Sequence, residues 1–394
     1  MFWFLVAVAA VCAFTVFKLR GANLAYLDNF DHPDETPPQA AAAASPSAAH
    51  QGVVDYLGQL TRASQGKRGK ERLQIVRRNM DRISEGRSFS SRFVPVDEGG
   101  VRGEWVLAPG CRPDQRLLYI HGGAWVAGSP LSHRSITDKL SALSGCAVLS
   151  LDYRLMPEHR RLDGIEDCRR AYQWLRANGP QGPAPATFMA VGGDSAGGNL
   201  TLSLIAWIRD EGLPQVDAAL AFSPATDTTL TSPSLKDNLA TDPMLGPLFG
   251  TLTRIPRPLL WWGSWLSNRI MPSDPVVSPL RGDLRGLPPV LVQASAAEML
   301  LDDARRYVRR AQAAGSPVEL QTWPHMVHVW QIFNPELPEA DEALASAARF
   351  LMEAGAKGPD AAAGEVSTDS DEGSDPGDPS DHNRRAEDDE GAAP

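Results

Sequence analysis

Ser195 stands among small residues in Gly192-Gly193-Asp194-Ser195-Ala196-Gly197-Gly198-Asn199, between two mostly apolar runs, Thr187 to Val191 and Leu200 to Ile208. The first run reads as a strand and the second as a buried helix. Gly193 and Gly197 let the backbone turn sharply at that junction, which pushes the serine hydroxyl out over the end of a sheet, where it can act as a nucleophile. A glycine-rich loop at a helix start also suits anion binding through its amides. A second glycine pair, in His121-Gly122-Gly123-Ala124-Trp125, follows the apolar run Leu117 to Ile120. Backbone N–H groups free of side chains suit a developing oxyanion; a tight turn with a packed tryptophan gives the same pattern. A nucleophilic serine needs a base, and the base needs an orienting carboxylate. Downstream of the serine the sequence offers both. The acids Glu298, Asp302 and Asp303 lie after the apolar run Pro289 to Ala294, and His325 and His328 lie after Val318 to Trp323.

The elements that must hold these residues alternate in type. Strands are expected at Arg92 to Val96, Gly103 to Leu107, Arg116 to Ile120, Cys146 to Leu151 and Val216 to Phe222, besides the runs already named. A helix is expected over Gly164 to Ala177, and a final one over Glu339 to Met352. The repeated order strand, loop, helix from Leu117 to Ile208 reads as right-handed βαβ units, hence an α/β fold with a mostly parallel sheet. Both glycine-bearing loops then leave the carboxyl ends of strands, where open α/β sheets hold their ligands. Two helical patterns between Val53 and Ile83 precede the first strand, and Thr226 to Pro288 breaks the βαβ rhythm. The first, about 51–90, reads as surface packing or as part of a lid over an active site, and the second, about 226–285, as a long insertion whose Trp261, Trp262 and Trp265, with Trp125, are candidates to wall an apolar pocket, with packing as the alternative.

Three segments in this order, HGGAW at His121 to Trp125, DYRLMPEH at Asp152 to His159 and GGDSAGGN at Gly192 to Asn199, resemble the hormone-sensitive-lipase-like (family IV) branch of α/β-hydrolase esterases and lipases. The resemblance extends over roughly Arg92 to Leu351. It implies an α/β-hydrolase fold with a helical cap from about 51–90 and 226–285, Ser195 as nucleophile, the triad in the chain order serine, acid, histidine, and the N–H groups of Gly122, Gly123 and Ala196 as an oxyanion hole. Similar esterases carry Asp-x-Leu-x-Asp after the strand at Pro289 to Ala294, and Glu298 takes the place of the first acid, with Asp302 and Asp303 as rivals. A Met-x-His followed by apolar and aromatic residues assigns the base to His328, leaving His325 as a loop histidine. Such a set hydrolyses a carboxylic ester, small or acyl-chain, through an acyl-enzyme, and needs no metal or organic cofactor. The same parts would serve an amidase or deacetylase, and loss of a member would leave a hydrolase-fold binding protein. Departures from the branch are Ala124 for the third glycine of HGGG, Met156 for alanine, and Arg160-Arg161 for an apolar continuation.

Appendages flank this domain of residues 51–357. Residues 1–17 are almost wholly apolar and are followed by Lys18 and Arg20; as a helix they would reach about 25 Å, the short end of what crosses a bilayer. With no basic residue before the run and no small-residue cleavage pattern after it, residues 1–20 read as an uncleaved single-pass anchor rather than a secretory signal. The basic pair places the body on the cytoplasmic side, with secretion as the alternative. Residues 21–50, rich in Pro and Ala, read as a linker. The net charge of −10 is carried by residues 358–394, where twelve Asp and Glu face two Arg, so the preceding residues balance at 36 basic against 36 acidic. That tail reads as disordered, and the balanced body excludes a nucleic-acid partner. Cys12, Cys111, Cys146 and Cys168 have neither metal-ligand nor disulfide-framework spacing.

Overall fold

A computed structural model describes residues 2–28 and 45–357. The expected acidic tail, 358–394, and residues 29–44 of the expected linker lie outside the described residues. The chain begins with helix α1 (Phe2–Phe14), continued by a wider-wound turn over Thr15–Arg20. After the linker come α2 (Ala48–Ser64) and α3 (Gly69–Asp81). The sheet then builds from β1 (Arg92–Glu98), β2 (Val101–Leu107) and β3 (Arg112–Ile120), followed by α4 (Arg134–Ser144), β4 (Cys146–Leu151), α5 (Arg161–Ala177) and β5 (Phe188–Asp194). Helix α6 (Ala196–Asp210) leads to β6 (Ala218–Phe222). Three helices follow in the cap stretch: α7 (Ser234–Asp237), α8 (Leu245–Phe249) and α9 (Arg257–Asn268). The chain closes through β7 (Val290–Ser295), α10 (Leu301–Ala313), β8 (Val318–Trp323) and α11 (Pro338–Lys357).

The eight strands form one sheet in the order β1-β2-β4-β3-β5-β6-β7-β8. Only β2 runs against its neighbours; β4, β3, β5, β6, β7 and β8 pair in parallel. The strand sequences explain why. Leu117, Leu118, Tyr119 and Ile120 are all completely buried, the signature of strands covered on both faces. Alternation sorts their side chains: Leu118, Ile120, Val191 and Ala221 join one core cluster with residues of α5, α6 and α10. Leu117, Tyr119, Ala190 and Leu220 join the other, with Ile136 and Leu140 of α4 and Leu344 of α11. Every parallel strand therefore ends on the same side, and β3, β5, β7 and β8 deliver their following loops to one edge of the sheet.

The junction of β5 and α6 differs from the sequence expectation in extent. Strand β5 runs three residues beyond Val191, with Gly192 and Gly193 in register with Tyr119 and Ile120 of β3. Helix α6 starts at Ala196, four residues before Leu200. Glycine is a poor strand and helix former, yet here closeness of approach overrides propensity: a Cβ on Gly197 would strike the carbonyl oxygens of Ile120 and His121. The expected linker at 21–50 also begins and ends differently. Leu24 and Leu27 are buried in the main core, Arg306 Nε donates to Asp28 at 2.6 Å, and helix α2 already starts at Ala48.

Candidate active site

Ser195 sits between the last residue of β5 and the first of α6, with φ 52° and ψ −114°. That is a strained conformation for a side-chain-bearing residue, held by backbone bonds on both sides. Ser195 N–H donates to Phe222 O at 2.8 Å, while Ser195 O accepts from Asn199 N at 3.0 Å and Ala225 N at 3.2 Å. The turn leaves the hydroxyl part-exposed and aimed at His328, whose Nε2 lies 2.9 Å from Ser195 Oγ. On the far side of the ring, Nδ1 is 2.6 Å from Oε2 of Glu298. Glu298 is completely buried, and its other oxygen, Oε1, accepts from Ser295 N at 3.0 Å. Each oxygen of the carboxylate thus has a donor, and the imidazole is held with Nδ1 protonated and the Nε2 lone pair facing the serine.

Two serines pin the histidine loop. Ser295 Oγ donates to Met326 O at 2.6 Å, and Ser223 Oγ accepts from Val329 N at 3.2 Å. Burial by itself lowers the His328 pKa, but the hydrogen bond and charge of Glu298, with Asp242 and Asp194 adding to them, outweigh it and raise the imidazole above 6.5. A base must be unprotonated to work, so kcat/KM is expected to fall as pH drops through a midpoint above 6.5. In Glu298→Gln the raising charge is gone and burial remains, so the midpoint should shift down; a pH profile of both proteins checks this.

The glycine loop after β3 faces the same turn. Among the described residues, the N–H groups of Gly122 and Gly123 donate to no protein acceptor, and Ala196 N–H opens a helix, where the first amides have no intrahelical partner. Gly123 has φ 112°, and Ala124 and Trp125 follow at 54° and 62°. Only the first of these is a glycine, so the turn carries strain that HGGG would not. A Cβ on Gly122 would run into the carboxylate of Asp194. Asp194 is the core of a buried cluster: it accepts from Tyr119 Oη at 2.8 Å and lies 3.3 Å from His133 Nε2. Burial opposes its ionisation, yet His133, Tyr119 and His121 outweigh this and hold the Asp194 carboxyl below its usual range. His121 is stacked on Tyr153 at 4.4 Å, and burial pushes its pKa down to about 3. It is a neutral packing residue, donating from Nδ1 to Gly122 O at 2.8 Å.

Over this fold the chain is similar to known proteins. Residues 117–332 match the alpha/beta hydrolase fold family. An acetyl-hydrolase of Streptomyces hygroscopicus is 36% identical over 282 residues, which are 71% of this chain and 89% of that one. The carboxylesterase/phospholipase LipF of Mycobacterium tuberculosis is 34% identical over 283 residues, 68% of this chain and 73% of the relative. A crystal structure of an esterase from the bacterial hormone-sensitive lipase family superposes with a TM-score of 0.68 at 35% identity, covering 78% of this chain and 99% of that one. The chain belongs to the α/β-hydrolase family. Within it, this hydrolase falls in the hormone-sensitive-lipase-like branch and is of the carboxylesterase type.

The hydrolase uses its other candidate residues elsewhere. Asp302 Oδ2 accepts from Ser234 N at 2.8 Å. Asp303 accepts from Thr226 N at 2.8 Å and Asp227 N at 2.9 Å; both aspartates tie α10 to the start of the cap. Burial, then the neighbouring Asp227, pushes the Asp303 carboxyl up to about 7. His325 and His159 are exposed. Trp125 stays beside the glycine loop, its ring covered by the Arg161 guanidinium at 3.8 Å. Arg161 in turn reaches Asn199 Oδ1 at 3.1 Å, which gives the arginine at the departure from the family pattern a packing role. Trp261 is buried and donates to Thr229 O at 2.8 Å. Trp262 and Trp265 are taken up by the N-terminal segment: their rings lie 5.5 and 5.3 Å from Phe14, and Trp262 Nε1 donates to Thr15 Oγ1 at 2.9 Å.

Three contributors were not read from the sequence. Tyr119 and His133 brace Asp194, and Arg77 of α3 clamps the glycine loop from outside. Its Nε donates to Val126 O at 2.7 Å and its Nη2 to Met156 O at 3.0 Å, while Glu158 pairs with it at 2.7 Å. No local motif marks Arg77, which lies among other basic residues of an amphipathic helix and 49 residues from the loop it holds.

Proposed function

We propose that this hydrolase cleaves carboxylic esters through an acyl-enzyme on Ser195, with His328 as general base and acid and Glu298 as the carboxylate that orients the imidazole and stabilises its charged form. What supports the reading above all is the unbroken relay from Ser195 Oγ through both His328 nitrogens to Glu298, at 2.9 and 2.6 Å. His328 takes the serine proton as Oγ attacks the ester carbonyl. The amides of Gly122, Gly123 and Ala196 receive the oxyanion, each such donor contributing about 10²–10³ in rate. The imidazolium then protonates the leaving alcohol, and a water activated by the same ring releases the acyl group. Relatives named acetyl-hydrolase and carboxylesterase/phospholipase point to acyl esters, from acetyl upward.

The N-terminal segment serves as a single-pass membrane anchor with the body on the cytoplasmic side. The most apolar 18-residue stretch within Phe4–Leu27, of mean hydropathy 1.8 and 6% buried, supports this, as do Lys18 and Arg20 after the apolar run. Purified full-length protein is expected to hydrolyse p-nitrophenyl esters, which a chain-length series from acetate to laurate measures. A folded protein that turns over none of them contradicts the reading.

A further inference from the structure

We infer that cap helix α9 lies in the plane of an anionic phospholipid bilayer, its apolar stripe inserted beside the point where the N-terminal helix leaves the membrane. This rests on the anchor reading above and deepens it, because it fixes how the catalytic body faces the lipid. Helix α9 is bolted to the end of the anchor. Phe14 packs on Trp262 and Trp265, Trp262 donates to Thr15, and Ser273 just beyond α9 donates to Lys18 O. If residues 1–17 cross the bilayer, Phe14 and Thr15 are about 5 Å from its surface at 1.5 Å per residue. Helix α9 is therefore at the depth where interfacial helices bury their apolar faces, about 5–10 Å.

The side of α9 turned away from the body has the composition such a place requires. On the helix Leu259 and Leu266 are 63% and 52% exposed, and with exposed Gly263 they recur at spacings of four and three, one stripe; Ile255, 39% exposed, precedes the helix in extended backbone. Phe17, at 76% exposure, extends the apolar surface from the anchor's own end. The charges around it are mainly of one sign: at the borders of this region Asp28 pairs with Arg306 and Asp242 is buried, which leaves Asp274 beside Ser273. Residues 1–27 and 243–273 contain no Asp or Glu but carry Lys18, Arg20, Arg254, Arg257 and Arg269. Among the described residues none of these five has an ion-pair partner. In a body whose charges balance, five basic residues against Asp274 make a local excess of four positive charges around an apolar stripe, with two tryptophans at its level. Anionic headgroups complement it, and tryptophan is enriched at that boundary.

The consequence for the reaction follows from chain connectivity. The cap stretch carrying α9 leaves the sheet at Ser223, and Ala225 N–H donates to Ser195 O at 3.2 Å. Docking α9 holds the cap stretch, which begins beside the nucleophile, at the surface into which acyl esters partition.

The test places an environment-sensitive fluorophore on single cysteines of the full chain. Native Cys12, in Cys111→Ser protein, reports on the anchor; Leu259→Cys or Leu266→Cys, in Cys12→Ser/Cys111→Ser protein, reports on α9. Proteins are reconstituted in vesicles of phosphatidylcholine with phosphatidylglycerol. All three labels should be blue-shifted and shielded from an aqueous quencher. A label at Glu98, on the far edge strand, should stay in water. Leu259→Ser/Leu266→Ser should lower hydrolysis of p-nitrophenyl palmitate held in the vesicles by about fivefold or more, with p-nitrophenyl butyrate turnover in solution unchanged. Labels at 259 and 266 in water while Cys12 is in lipid overturn the docking and leave the anchor standing. Cys12 in water overturns the anchor itself. Labels at 259 and 266 shielded equally without vesicles would assign the stripe to a second copy of the chain and overturn the lipid assignment. Label depth does not depend on turnover, so failure of the esterase reading would show separately.

Discussion

Ser195→Ala and His328→Ala should each lower kcat/KM for p-nitrophenyl butyrate by about 10⁵–10⁶, and the double variant by no more than either alone. The reason is the geometry: the hydroxyl and imidazole are joined by one 2.9 Å hydrogen bond and act as one unit, so removing either leaves the other with nothing to do. Activity left over should come from the amides of Gly122, Gly123 and Ala196, which neither change touches. Ser195 has φ 52°, and alanine is no better suited to that region, so the variant keeps the same backbone strain and gains no stability from relief of it. Circular dichroism and thermal melts should therefore superpose on the wild type. Losses that added in the double variant would show that the two side chains act in separate steps.

Glu298→Gln should cost about 10³–10⁴ in kcat/KM, whereas Asp302→Asn should cost less than about threefold. Glutamine fits the site of Glu298 but removes the charge that stabilises imidazolium, and its amide can turn an N–H toward Nδ1, favouring the wrong tautomer. Asparagine in place of Asp302 keeps an oxygen able to accept from Ser234 N, the bond that Asp302 Oδ2 makes at 2.8 Å. Asp302 is part of the joint between α10 and the cap, so its effect should appear in melting temperature, by up to about 1 kcal/mol, rather than in turnover. A large kinetic loss in Asp302→Asn with little in Glu298→Gln would reassign the acid.

Much of this was legible in the residues, for identifiable reasons. The parallel strands are short runs buried on both faces, so Cys146–Leu151 and Val318–Trp323 can be bounded to the residue. The site loops carry glycines because backbone must approach backbone, and those glycines mark the turns. The same glycines hid the true end of β5 and start of α6, since sequence propensity scores Gly192, Gly193 and Gly197 against the elements they belong to. Residues that act over distance left no local trace. Arg77, Tyr119 and His133 reach the site from separate elements, and their types are ordinary for an amphipathic helix, a core strand and a short turn. The cap tryptophans show the limit of composition: Trp262 and Trp265 have the right chemistry for an acyl pocket, but they meet Phe14, a contact between residues some 250 positions apart.

The most direct test of the central claim is to inactivate the full-length protein with a fluorophosphonate and map the adduct by peptide mass spectrometry. The account predicts one adduct per chain, on Ser195, with labelling abolished in Ser195→Ala and slowed in Glu298→Gln in proportion to its loss of turnover. Folded wild-type protein that takes up no label, or that carries it on another residue, would contradict the account.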